Sequence, residues 1–224
     1  MRTWVLLLSS CLFLTACFFG KTFVWNSELT LHIRTPDGPV AASSVTRKEF
    51  WVCDRACIRF GGTAFGREVY GEAVAAQLGS GTLFALLNPH TQASPGYVDA
   101  FADRGINSMR GWARAIMRNR EVVAEVPRKF YPRLIAFEDI TDPTSIFEVD
   151  PDNLATVFGP GYALERITVI ATDKPLTTGV IDAILPWVDT IGPNLTGGYA
   201  GGDQDISILA RTTGGRHFKR KLPE

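Results

Sequence analysis

Histidine, cysteine and net charge are all scarce in this chain. Its 224 residues hold 23 basic and 23 acidic side chains, so the formal net charge at pH 7 is zero. Such a chain lacks the basic footprint of a nucleic-acid binder, and no nucleic acid is expected as partner. The three histidines give little to build catalysis on. His32 projects from the polar face of a strand, His90 follows Pro89 in a loop, and His217 lies in a basic tail, so each reads first as a surface residue. There is no Gly-x-Ser-x-Gly elbow, no Ser-x-x-Lys beside its usual companions and no His-Glu-x-x-His zinc helix. These absences exclude the motif-borne hydrolases, but not a triad whose members meet only in space. Beyond Phe19 no apolar run is long enough to span a bilayer, and no internal repeat is visible.

What is present begins at the N-terminus. Arg2 supplies a positive charge, residues 4–14 form an apolar stretch, and small residues follow, which are the parts of a secretory signal. An uncleaved transmembrane helix would need about 20 apolar residues, and the run ending at Phe19 is shorter. Leu14-Thr15-Ala16-Cys17 resembles the lipobox of bacterial lipoproteins. That resemblance implies cleavage after Ala16 and acyl chains on Cys17. Two or more chains hold firmly, since each buried methylene adds about 0.8 kcal/mol. An ordinary signal peptide with a chance cysteine is the competing reading. Gram-negative lipoproteins retained in the inner membrane usually carry Asp after the cysteine. Phe18 stands there, so the resemblance favours the outer membrane, facing the periplasm. The expected division is a signal over residues 1–16, an acylated cysteine and short tether over 17–22, one globular domain over 23–210 and a basic tail over 211–224.

Hydrophobic content of 46% and charged content of 21% suit a folded domain. Of the four cysteines, Cys11 leaves with the signal and Cys17 is the lipidation site, which leaves Cys53 and Cys57. An oxidising periplasm makes a structural disulfide between them plausible. Free thiols, or a redox or metal role, are the alternatives. The spacing is not C-x-x-C, and no histidine lies nearby to complete a metal site.

Residues 27–35 alternate, with Leu29, Leu31 and Ile33 on one face, and predict a half-buried strand. Pro36-Asp37-Gly38-Pro39 is a turn and residues 40–51 the returning strand. Residues 66–78 alternate again, residues 82–87 form a short apolar strand, and the N-terminal half is expected as an antiparallel meander. Between residues 95 and 120 the period becomes helical: Tyr97, Val98 and Phe101 give one stripe, and Ile106, Met109, Ala113, Ile116 and Met117 another. Arg110, Arg114, Arg118 and Arg120 fall largely on its other side, as a solvated face. Strands are expected at 133–137, 145–149, 162–172 and 206–210. Asp150 with Pro151 opens a helix that Gly159 stops, and Val180, Ile184 and Trp187 mark another. The fold class is α+β: an antiparallel β meander with a helical insertion and short helices packed on the sheet.

Three motifs, Phe137-Glu138-Asp139, Asp142-Pro143-Thr144-Ser145 and Asp150-Pro151-Asp152-Asn153-Leu154 through Gly161-Tyr162, resemble an uncharacterised bacterial protein family. The likeness runs from about Val24 to Trp187, and residues 51–59 with both cysteines are peculiar to this chain. That family has no established activity, so the resemblance assigns no catalytic residue.

Glu138, Asp139 and Asp142 are the candidate site, since clustered carboxylates can do acid–base work or hold a hard cation. Ordinary turn chemistry explains them more simply. Asp203-Gln204-Asp205 lacks the later ligands of a calcium loop, and no cofactor is expected. Arg216, Lys219, Arg220 and Lys221 read as a solvated tail that an anionic surface would attract. The expectation is a lipid-anchored periplasmic domain that serves envelope structure or binds an envelope protein without catalysis. The alternative is a periplasmic hydrolase with a carboxylate or histidine site.

Overall fold

The computed structural model describes residues 20–53, 64–79, 81–88, 108–118, 120, 122–198 and 207–223. The hairpin foreseen around Pro36 is its longest feature. β1 (Lys21–Thr35) and β2 (Gly38–Cys53) pair antiparallel from Thr35↔Gly38 to Lys21↔Val52. Alternation decides the faces: Phe23, Trp25, Leu29, Leu31 and Ile33 are buried, while Thr30 and Arg34 turn outward. β1 starts at Lys21, so Lys21 and Thr22, the last two residues of the 17–22 segment expected as a tether, are already paired in the sheet.

The remaining strands are β3 (Ala64–Glu72), β4 (Val74–Leu78), β5 (Gly81–Ala85), β6 (Val123–Glu125), β7 (Leu134–Phe137), β8 (Ile146–Glu148), β9 (Ala163–Thr172) and β10 (Lys219–Arg220). They form a six-stranded sheet, ordered β10-β3-β2-β1-β9-β6, and a four-stranded sheet, ordered β4-β5-β7-β8. All recorded pairings are antiparallel. The architecture is a sheet-dominated α+β.

The single strand expected over 66–78 is two strands in different sheets. Gly71, at φ 120°, marks the departure. A Cβ there would press on the Val45 carbonyl oxygen at 3.2 Å, so the chain bends where only glycine fits. The buried alternation continues through Val74, Ala76 and Leu78, which hid the crossing. The N-terminal meander therefore ends at β3.

β4 lies against β1 and β2, so the two sheets face each other across one core. Helix α1 (Met109–Arg118) covers part of it: Trp112 stands edge-on to Phe50 at 5.4 Å and to Trp25 at 6.5 Å. Its buried Ala113 and Ile116 match the expected stripe, while Tyr97, Val98, Phe101 and Ile106 lie outside the described residues. A second core gathers Phe84, Phe137, Trp187 and Phe218, ring centroids 5.6 to 6.0 Å apart.

The short helices correct several expectations. Asp150 does cap a turn, its carboxylate accepting from Asp152 N–H at 2.8 Å, but helix α2 (Ala155–Phe158) opens only after Leu154. In α3 (Val180–Ile184) the buried face is Ile181 and the following Leu185; Val180 of the expected stripe is exposed. The strand expected over 206–210 is helix α4 (Ile208–Thr212), because Ser207 Oγ accepts from Ala210 N–H at 3.1 Å. A short apolar run does not by itself distinguish the two. The expected tail over 211–224 is folded onto the body: Thr213 and Phe218 are buried, and β10 pairs with β3.

Candidate functional site

Glu138, Asp139 and Asp142 follow β7, and the structure gives each carboxylate of the two aspartates a turn to hold. Asp139 Oδ1 accepts from Thr141 N–H at 2.9 Å and Thr141 Oγ1–H at 2.7 Å. Asp142 Oδ1 accepts from Thr144 N–H at 2.8 Å and Thr144 Oγ1–H at 2.7 Å. The Thr141 hydroxyl and backbone bonds hold Asp139 below the usual carboxylate range, the wrong direction for a proton donor near neutral pH. Glu138 is exposed. Among the described residues no three metal-ligating side chains come together. This cluster makes turns.

The expected basic tail is likewise committed elsewhere. Lys219 Nζ bonds Asp182 and Asp189, Lys221 reaches Asp189 at 3.3 Å, and Arg220 pairs with Glu68 and lies over the Tyr70 ring. His32 Nε2 and Thr168 Oγ1 are 2.9 Å apart on the outer face. Burial and then the charge of Arg166 push the His32 imidazole down. Cys53 is buried at the end of β2. Cys17, Cys57 and His90 lie outside the described residues.

His217 is the exception among the histidines, because it lines a groove of about 650 Å³. The chain beyond β5 explains how the groove forms. Leu86 N–H donates to Arg133 O at 3.0 Å, and Leu87 N–H donates to His217 O at 2.7 Å. One extended segment thus carries Arg133 on one side and His217 on the other. Gly214 is required nearby, since a Cβ there would fall 2.2 Å from Pro193 O. Leu86 and Leu87 form the floor, Leu209 and Ile208 of α4 a wall, and Glu148 stands at the rim, 3.8 Å from Arg133 Nε. Thr212 and Thr213 complete the α4 side.

The imidazole is tied down at one nitrogen. Gly214 N–H points at His217 Nδ1 from 3.0 Å. Gly214 O also lies 3.2 Å from Nδ1, so the Gly214 peptide engages that nitrogen in either tautomer and leaves Nε2 without a partner among the described residues. Burial, Arg216 and Arg133 push the imidazole down, outweighing the Gly214 carbonyl, which works the other way. His217 thus lines the groove with Arg133 as a charged neighbour. Among the described residues no carboxylate bonds the ring, as a base in a triad would need.

A second concavity of about 500 Å³ lies beside β6, between Glu125, Arg128, Tyr131 and Glu165. Arg128 there is paired with Asp152 and stacked over Tyr131.

Sequence reasoning missed Arg133, Glu148 and the apolar wall of α4. The one signal available was Gly214-Gly215 ahead of His217, a pair that permits close chain approach. No family model, curated protein or solved structure matches the chain.

Proposed function

We propose that this chain is a lipid-anchored domain of the bacterial envelope that binds a ligand or partner and does not catalyse. On this reading Cys17 carries the acyl chains, and the domain sits close to the outer membrane on its periplasmic face. The α+β frame, an antiparallel meander with a helical insertion and short helices on the sheet, serves as scaffold. Cys53 and Cys57 form a disulfide that closes a small loop.

The observation that carries the binding reading is the His217 groove. Its imidazole is engaged at Nδ1 by the Gly214 peptide and meets no carboxylate among the described residues, which suits recognition better than proton abstraction. The alternative, a periplasmic hydrolase using His217, would require Nδ1 to release Gly214 and find a carboxylate.

The test has two stages. Metabolic labelling with a fatty-acid probe should mark the wild type, and Cys17→Ser should abolish the label; persistence of the label would sink the lipoprotein reading. The native acylated protein should then recover an envelope component that Ile208→Asp, at the groove wall, fails to hold. Hydrolysis of an ester or amide panel that disappears in His217→Gln would instead favour the enzyme.

A further inference from the structure

We infer that the His217 groove takes an amphiphile with one anionic head, seated between Arg133 and His217, its apolar chain lying along Leu86, Leu209 and Ile208. This deepens the binding reading above and rests on it.

Three observations converge. The first is the donor set. Arg133 presents a guanidinium that donates in a fork fitting carboxylate and phosphate oxygens. His217 adds Nε2, the ring nitrogen that the Gly214 peptide does not engage. Arg216 lies near enough for its charge to be felt at the imidazole. The local balance is therefore positive, in a chain whose overall charge is zero.

The second observation is the opposing charge. Glu148 is the acidic residue lining the groove. Its carboxylate is 3.8 Å from Arg133 Nε, beyond hydrogen-bonding distance, and its side chain is 62% exposed. Such a pair is weak in water. An incoming anion can take the guanidinium while Glu148 swings into solvent.

The third is the apolar wall. Ile208 is 72% exposed, although a buried floor of Leu86 and Leu87 lies in the same groove. A large aliphatic side chain left in water beside such a floor gains by being covered. The groove volume falls within the range of small-molecule sites. A neutral ligand would leave the donors unanswered, and a cation would meet Arg133.

The test uses the full chain carrying Cys17→Ser, so that no attached acyl chain competes, with calorimetric titration of laurate, dodecyl phosphate and dodecanol. Laurate or dodecyl phosphate should bind saturably at one site. Binding of laurate alone assigns a carboxylate head, and binding of dodecyl phosphate alone assigns a phosphate head. Arg133→Gln should weaken binding about tenfold, the effect of one charge-assisted hydrogen bond. Glu148→Gln should tighten it, and Ile208→Asp should weaken it. These side chains are at the surface, and unchanged circular dichroism and melting will show that the variants fold. Dodecanol binding as tightly as laurate, or Arg133→Gln leaving laurate binding unchanged, overturns the inference. If no amphiphile binds but Ile208→Asp still loses the envelope component, the inference fails and the binding reading stands. If the envelope component is also indifferent to Ile208, both fail.

Discussion

The carboxylate of Glu72 accepts the backbone N–H of Ile181 at 3.0 Å, joining the end of β3 to the first turn of α3. The same carboxylate accepts from Gly179 N–H at 2.6 Å and Val180 N–H at 2.9 Å. It is buried, and the donors at a helix start have no intrahelical partner. One acidic side chain thus answers three amide protons where the chain leaves the large sheet.

Glu72→Ala should therefore be among the most damaging single changes in the protein. It leaves buried amides unanswered, at about 3 kcal/mol or more in total. Glu72→Gln keeps the shape but turns an amide group toward the same donors, and should fall between. Urea unfolding measures both. A midpoint shared by wild type and Glu72→Ala would show that α3 is held by Ile181 packing alone.

Lys48 is the opposite case, a buried amine that no acidic side chain among the described residues answers. It faces inward on β2, opposite Trp25 on β1 and Val69 on β3, and is 2% exposed. Burial alone pushes its amine down to about 7. The unfolded chain holds the proton up to the ordinary lysine range, near pH 10.4. Between those values the unfolded state binds more protons, so stability should rise with pH across the window and level off below it. Lys48→Met removes the penalty and should raise stability at pH 7 by a few kcal/mol, while flattening the profile between about pH 7 and 10. Paired thermal melts at several pH values check this, and parallel profiles for the two proteins would refute it.

The strands were legible wherever one face is buried and the other wet. In β1 the odd positions from Phe23 to Ile33 are apolar except Ser27 and the even ones are mostly polar, so period, face and register follow together. The crossing at Ala73 was not legible, because residues 69–74 are all buried, Glu72 among them, and Val74, Ala76 and Leu78 resume an alternation on β4. The C-terminal segment was misread for a different reason. Its lysines look solvated in isolation, but their counter-charges, Asp182 and Asp189, lie some 30 to 37 positions upstream. The groove was invisible for the same cause, since Arg133 and His217 meet only through the backbone of Leu86 and Leu87.

The cysteine expectation has its own check. Protein taken from the periplasm should gain no mass on alkylation without reductant at Cys53 and Cys57, and should gain two adducts after reduction. Two adducts without reductant would mean free thiols, and the small loop would then be open.

The Asp150 turn should prove structural. Asp150→Ala removes the acceptor for Asp152 N–H and should cost about 1 kcal/mol, the usual scale of a lost cap. Phe158→Ala should cost about 3–5 kcal/mol, because that ring is buried in the first core beside Leu154 and Leu164. Thermal melts read both. An Asp150→Ala protein that melts like wild type but no longer holds its envelope component would make this turn a binding site.

Phe218 decides whether the C-terminal segment belongs to the fold. It is fully buried between Phe84 and Trp187, and its carbonyl accepts Ala73 N–H at 2.7 Å. Phe218→Ala should cost about 3–5 kcal/mol, as removal of a buried aromatic ring does. The effect should also reach the groove, since His217 is the preceding residue and its carbonyl holds Leu87. Hydrogen exchange at Ala73 and Leu87 should therefore quicken together in Phe218→Ala, ahead of the amides of the β1–β2 hairpin. Lys221→Ala, which removes one half-solvated ion pair at Asp189, should shift stability by less than about 1 kcal/mol. If Phe218→Ala proves as mild as Lys221→Ala, the segment beyond α4 is a tail after all, and the groove loses one of its walls.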